Sequence, residues 1–205
     1  MARPRRNDHN REQLLDAGLS LLAQQGYHGT GLKQILDLVQ VPKGSFYHYF
    51  DSKEHFVAQV IERYGQQVLA QMDKIASDYP QPRDQLAQIV RQGLQQYQAN
   101  HYQHGCLLGS LAAELGHHNN LCNHAMLHVF SQFEQWLMAV IEQGQQQQQI
   151  RSSLPPLQLS QLFWDCWQGG LLRMQLQGSI EPMLAQMELL LQHVFVTDIN
   201  FNGEH

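Results

Sequence analysis

Apolar residues return along this chain with the period of a helix, about 3.6 residues, and almost nowhere with the period of two that marks a strand. Leu14, Gly18 and Leu21, joined by Leu15 and Leu22, stand at i, i+4 and i+7 before a stop at Gly26, which predicts a first helix. Leu32, Ile35, Leu36 and Val39 form the stripe of a second, shorter helix, with Thr30 placed to cap its start. Val41-Pro42 then breaks the chain. Proline suits a helix's first turn and pushes the residue before it out of helical geometry, so a third helix is expected from Pro42 or Lys43. Asp51 or Ser52 can cap a fourth, from about Lys53 to Asp78, ahead of Pro80 and Pro82.

The same period carries on. Gln81 to Ala99 reads as a helix with Leu86, Ile89, Val90, Leu94 and Tyr97 on one side. Gly105 ends one element and Leu107, Leu108, Leu111 and Leu115 start another, which sets Cys106 at a helix N-terminus. His117-His118-Asn119-Asn120 marks a polar turn, and Leu121 to Gly144 follows as a long helix striped by Met126, Val129, Phe130, Phe133, Leu137, Val140 and Ile141. A glutamine tract, Ser152-Ser153 and Pro155-Pro156 interrupt the pattern. The last two helices, about Pro156 to Gln177 and Glu181 to Val196, are apolar around much of their circumference, so each must bury two faces. The expected fold is all-α.

Composition narrows this without changing it. With 205 residues and 43 % hydrophobic content the chain can build a sizeable core, and no run approaches the roughly 18 apolar residues of a membrane span. The N-terminal MARPRRNDHNREQ has cations but no apolar stretch behind them, so a cytoplasmic address is expected. Cys106, Cys122 and Cys166 are too few and too scattered for a disulfide framework. The net charge of −5 is unevenly spread. Seven cations face six acids through Glu54, and six face twelve beyond it, which suggests an N-terminal module that meets a polyanion.

The stretch KGSFYHYFDSKE, Lys43 to Glu54, tests that suggestion. At about 100° per residue, Phe46, Phe50 and Tyr49 share one face of a helix, while Tyr47, Gly44, His48 and Ser45 cover the opposite arc with Lys43 at its edge. The first face anchors the helix. The second offers glycine for close approach together with hydroxyl, phenol, imidazole and ammonium donors, a composition that suits a DNA major groove. A plain solvated arc is the alternative.

The first helix and GYHGTGLKQIL (Gly26 to Leu36) resemble the DNA-binding segment of the TetR-type bacterial repressors, and VPKGSFYHYFDSKEHF (Val41 to Phe56) resembles their recognition helix and the start of their fourth helix almost position by position. The resemblance implies a helix-turn-helix domain, residues 1–52, ahead of a larger helical ligand-binding and dimerisation domain, residues 53–205. It implies that Thr30 hydrogen-bonds a phosphate, that Lys43, Gly44, Ser45, Tyr47 and His48 form the groove-facing surface, that Tyr49 touches the DNA backbone, and that Lys53 meets a phosphate at the start of its helix. Arg3, Arg5 and Arg6 form either a minor-groove arm or a basic tail. The partners implied are double-stranded operator DNA, a second copy of the chain and a small-molecule inducer, with no cofactor, no membrane and no enzymatic activity.

GCLLGSLAAEL is also similar to a stretch in the subset of TetR-type regulators that answer electrophiles such as N-ethylmaleimide, reactive aldehydes and acrylate, with Cys106 at the position of the sensor cysteine. A thiol at a helix N-terminus with His101 and His104 nearby favours its thiolate; a small buried hydrophobe packing two helices is the other reading. Trp164 and Trp167 either line the ligand pocket or belong to the core. His124 and His128, one turn apart with Cys122 near, keep a metal-responsive repressor open. A Cys/His enzyme built on Cys106 lacks an orienting third group and an oxyanion motif.

Overall fold

A computed structural model describes residues 6–99, 105–116 and 119–196. Its helices are α1 (Arg6–Gly29), α2 (Leu32–Val39), α3 (Lys43–Phe46), α4 (Lys53–Asp78), α5 (Pro82–Ala99), α6 (Leu107–Leu115), α7 (Asn120–Gln146), α8 (Pro156–Gln177) and α9 (Glu181–Leu189), closed by a π-turn at Leu190–Val194. There is no strand among the described residues, as the missing period of two predicts. The chain divides into two compact units. One comprises Met1–Val68 and His104–Ser131, the other Leu69–Gln103 and Gln132–His205.

In the first unit, the predicted stripes become the core. Leu14, Leu22, Ile35, Phe46, Phe50, Phe56, Val60, Ile61, Leu111 and Val129 are each at most 1 % exposed. Gly18 lies where α4 crosses α1, and a methyl group there would run into the Phe56 ring and Val60. Charges clamp the rim of the same pair: Arg63 Nε donates to Asp16 Oδ1 at 2.8 Å and its guanidinium also meets Glu12. The stop expected at Gly26 is a sharp kink, φ +69°, inside the span of α1, after which one more turn runs to Gly29. Ser52 caps α4 as expected, its Oγ accepting the His55 N–H at 3.1 Å.

One cap is corrected. Gly31, not Thr30, occupies the N-cap of α2, and Thr30 points back instead, its Oγ1 donating to the Gly26 carbonyl at 2.7 Å. Gln40 ends α2 in the left-handed region, φ +56°, with its N–H on the Asp37 and Leu36 carbonyls.

In the second unit, Leu86, Val90, Leu137, Ile141, Phe163, Leu171, Met174, Met183 and Met187 are buried. The glycine pair expected to allow close approach divides its work. A Cβ on Gly170 would strike Met183, so it admits α9 against α8, whereas Gly169 faces open space. Gly93 does the same for α5, where the Trp167 ring fills the room of a side chain. The helix expected to run to Val196 changes to a π-turn after Leu189, and Arg151 N–H donates to the Phe195 carbonyl at 2.7 Å just beyond it. Outward leucines remain on these last helices: Leu172 is 59 % exposed, Leu176 78 % and Leu189 61 %. Among the described residues no helix is long and apolar enough to cross a membrane.

Candidate nucleic-acid interface and effector thiol

The helix expected through Phe50 is shorter, α3 ending at Phe46 and passing into a turn over Tyr47–Tyr49, but α3 and that turn together sort their side chains. Phe46 and Phe50 are buried, with ring centroids 5.1 Å apart and Phe56 within 5.5 Å of each, while Lys43, Gly44, Tyr47 and His48 are exposed and Ser45 and Tyr49 are half-buried. The 100° spacing gives this division for all but Ser45 and Tyr49, which it sets on opposite faces and which are half-buried alike. Tyr47 stands edge-on to Phe46 at 5.4 Å, so a buried ring sets the angle of an exposed one. Nothing within 4 Å would meet a Cβ at Gly44, which is therefore free for close approach from outside.

Two other residues expected at phosphates are engaged within the protein. Thr30 is 1 % exposed and gives its one hydroxyl proton to Gly26. Lys53 donates from Nζ to the Tyr27 carbonyl at 2.8 Å and lies over the Tyr27 ring at 4.2 Å. Both side chains bind the kink at Gly26.

That kink is the centre of a node which sequence reasoning missed. Tyr27 N–H donates to Glu114 Oε1 at 3.2 Å and His28 N–H to Glu114 Oε2 at 3.0 Å, linking α6 to α1. Tyr27 Oη donates to Glu54 Oε1 at 3.0 Å, and Cys122 Sγ donates to the Glu54 carbonyl at 3.7 Å. Burial, reinforced by the neighbouring Glu54 carboxylate, pushes the Tyr27 phenol up to about 12 and the Cys122 thiol up to about 11. The Glu54 carboxyl is held below its usual range by its own backbone N–H, by Ser52 and by Tyr27. Eighty-seven positions separate Tyr27 from Glu114, and no local pattern carries such a pairing.

Cys106 is the N-cap of α6, as the break at Gly105 predicts. It is 6 % exposed, and its Sγ lies 3.6 Å from Tyr64 Oη of α4. His101 and His104, expected beside it, lie outside the described residues, as do Arg3, Arg5, His117 and His118. Of the metal candidates, Cys122 is buried against Glu54, while His124 and His128 are exposed and His128 Nδ1 meets Glu62 Oε1 at 3.0 Å. Among the described residues, no three His, Cys, Asp or Glu side chains converge to hold a metal ion.

Trp164 and Trp167 are packed in the second unit's core. Trp164 stacks on Phe133 at 5.3 Å, and Trp167 lies parallel to Phe163 at 6.3 Å. A separate cleft of about 420 Å³ opens beside a third indole, lined by Ala76, Pro80, Gln85, Trp136, Ala139, Val140 and Gln143. Trp136 Nε1 donates there to Asp73 at 2.8 Å.

A long helix, then two short ones joined by a tight turn, the second with an apolar inner side and a polar outer one, are the frame of a helix-turn-helix DNA-binding protein. Residues 14–60 match the family model of bacterial regulatory proteins of the tetR family, and residues 82–190 match that of the tetracyclin repressor-like C-terminal domain. The chain is 28 % identical to the HTH-type transcriptional repressor DhaR of Mycobacterium sp. (strain GP1) over 95 % of its own length and 96 % of that protein's. It is 32 % identical to the repressor NemR of Escherichia coli strain K12, over 84 % of this chain and 87 % of that one. The reduced form of E. coli NemR superposes with a TM-score of 0.83 at 30 % identity, covering 92 % and 98 % of the two chains. The chain belongs to the TetR family of transcriptional regulators.

Proposed function

We propose that this regulator is a homodimeric repressor that reads its operator with the outer arc of α3 and is released by an electrophilic small molecule at Cys106. The observation that carries the first half is the partition of α3 and the turn after it: Phe46 and Phe50 fix the segment from inside, while Lys43, Gly44, Tyr47 and His48 stay outward with Ser45 between them. Tyr49, half-buried, sits at the edge of that surface, and Thr30 and Lys53 support it from behind. In this reading residues 1–52 supply the DNA contact and residues 53–205 the effector and dimer functions. The exposed Leu172, Leu176 and Leu189 are the apolar surface a second copy would cover, and a two-fold axis through it presents two α3 helices to a pseudo-palindrome with half-sites about 34 Å apart.

Support for the second half is the place of Cys106: the N-cap of a helix, at the positive end of its dipole, with a phenol 3.6 Å from the sulfur. A solved structure of a relative of this chain, the E. coli repressor NemR, is that of its reduced form. The chemistry is conjugate addition. The Cys106 proton leaves to solvent, the thiolate sulfur bonds to the activated alkene carbon, the alkene π pair becomes an enolate, and water protonates it, with no leaving group. The adduct does not fit a site that is 6 % exposed, so α6 must shift against α4. A displacement that alters the distance between the two α3 helices loses the operator.

The test uses a duplex selected by the wild-type protein from a random-core library. Operator binding by wild type and Cys106→Ser is followed with and without N-ethylmaleimide while intact mass is recorded. One added maleimide at Cys106 that releases only the wild type bears the proposal out. Equal behaviour of the two proteins removes the thiol from the mechanism and leaves a reversible ligand, for which the cleft at Trp136 is the place to look.

A further inference from the structure

We infer that Glu114 is a positioning residue for DNA binding, a latch through which α6 holds the backbone segment that leads into α2 and α3. The carboxylate takes two successive backbone N–H groups, those of Tyr27 and His28, one on each oxygen. Gly26 makes this possible in two ways. Its φ of +69° is a conformation that side-chain-bearing residues rarely adopt, and a Cβ there would collide with the Glu114 carboxylate itself. The carboxylate occupies the place of the side chain that Gly26 lacks.

From His28 the chain has only Gly29, Thr30 and Gly31 before α2 begins at Leu32. Those residues give a displacement little room to dissipate, because Thr30 is tied back to the Gly26 carbonyl and Lys53 to the Tyr27 carbonyl. A pull on Tyr27 and His28 therefore reaches α2, and α2 packs on α3. At its other end α6 begins with Cys106 as N-cap. Eight residue steps of about 1.5 Å each separate Cys106 from Glu114 along a single stiff rod, a span of about 12 Å. The four leucines of α6, Leu107, Leu108, Leu111 and Leu115, are buried, but Glu114 is exposed. The latch can thus open without uncovering apolar surface, which suits a contact that must break and reform. Charge-assisted bonds of this kind also cannot be replaced in kind by an amide, which keeps a single acceptor oxygen.

The inference rests on α3 being the DNA-reading surface, and its test separates the two ideas. Operator affinity of Glu114→Ala, Glu114→Gln and Tyr47→Ala is measured on the selected duplex, alongside thermal midpoint, with N-ethylmaleimide added in a second arm and intact mass recorded. Glu114→Ala should bind about tenfold more weakly than wild type, Glu114→Gln less so, with midpoints within about 2 °C of wild type. In the second arm Glu114→Ala should take up maleimide at Cys106 as wild type does, yet its ratio of free to alkylated affinity should collapse toward one. If Glu114→Ala binds and releases DNA like wild type while Tyr47→Ala binds none, the latch is refuted and the α3 surface stands. An affinity loss that only tracks a fallen midpoint also refutes it. If Tyr47→Ala binds normally, the α3 reading fails first. Should maleimide leave wild type on the DNA, the thiol reading fails, and the latch is judged on the basal affinity of Glu114→Ala.

Discussion

Replacing Lys53 by methionine separates two roles that one ammonium group cannot fill together. Methionine keeps the length and apolar character of the lysine stem, so packing over Tyr27 survives while the charge disappears. The charge supports one charge-assisted hydrogen bond of 2.8 Å to the Tyr27 carbonyl and one cation–π contact at 4.2 Å. Buried bonds of the first kind contribute about 1.5–3 kcal/mol and contacts of the second about 0.5–2 kcal/mol. The side chain is only half-buried, so water offsets part of both, and the expected loss of stability is about 1–2 kcal/mol. For a chain of this size each kcal/mol moves the midpoint by about 2–4 °C.

If Lys53 instead contacted a phosphate, its effect would appear in the salt dependence of operator binding. Each phosphate neutralised contributes a slope of about −0.9 in log K against log salt, so a dimer that loses two such contacts would flatten by about 1.8. With Lys53 turned inward the variant should melt about 2–8 °C lower while its salt plot runs parallel to that of wild type, displaced downward if at all. The assays are differential scanning calorimetry and anisotropy titrations from about 50 to 200 mM salt. A slope flattened by nearly 1.8 with an unchanged midpoint would refute the internal tie.

Other substitutions probe other levels of the structure. Tyr47→Ala should abolish operator binding while stability, read by urea unfolding, changes by no more than about 0.5 kcal/mol, because the ring is 51 % exposed; normal DNA binding would remove α3 as the reading surface. Phe46→Ala, at a fully buried ring, should cost about 3–5 kcal/mol in the same assay, and a cost under 1 kcal/mol would contradict the packing of α3 on Phe50 and Phe56. Leu172→Glu with Leu176→Glu should convert the dimer to monomer in sedimentation and lose the operator with it, whereas a persisting dimer would place the interface elsewhere. Stability should also fall in alkali. Cys122 and Tyr27 are raised in the folded state from 9.0 to about 11 and from 10.0 to about 12, so their contribution is whole below pH 9 and is lost as pH rises through the folded values. Cys122→Ala should remove the earlier part of that decline in a pH series of unfolding midpoints, and an identical curve would show that the thiol is not responsible.

How much of this could be read from residues alone depended on the range of the interaction. Period and punctuation are local, so the stripes on α1, α2, α5, α6 and α7, the stop at Gly26, the Ser52 cap and the placement of Cys106 all appear where the spacing puts them. The wheel drawn from Lys43 sorted Phe46 and Phe50 inward and Lys43, Gly44, Tyr47 and His48 outward for the same reason, but it missed the turn after Phe46, and Ser45 and Tyr49 are half-buried alike. The internal partners of Thr30 and Lys53 were not legible because a polar side chain near a turn chooses among partners, and these partners are backbone carbonyls that become available only once α1 kinks. Trp164 and Trp167 carried two readings in sequence, and Phe133, Phe163 and Gly93 place both indoles in a packed core. Glu114 left no local trace at all. It sits among buried leucines on a nine-residue helix, and only the folded chain sets its carboxylate against a glycine 88 positions earlier. That asymmetry has a physical source. Surfaces that read DNA are built on one short element and are therefore local in sequence, whereas a connection between effector and reader must join distant elements, and its residues become recognisable only by what they touch.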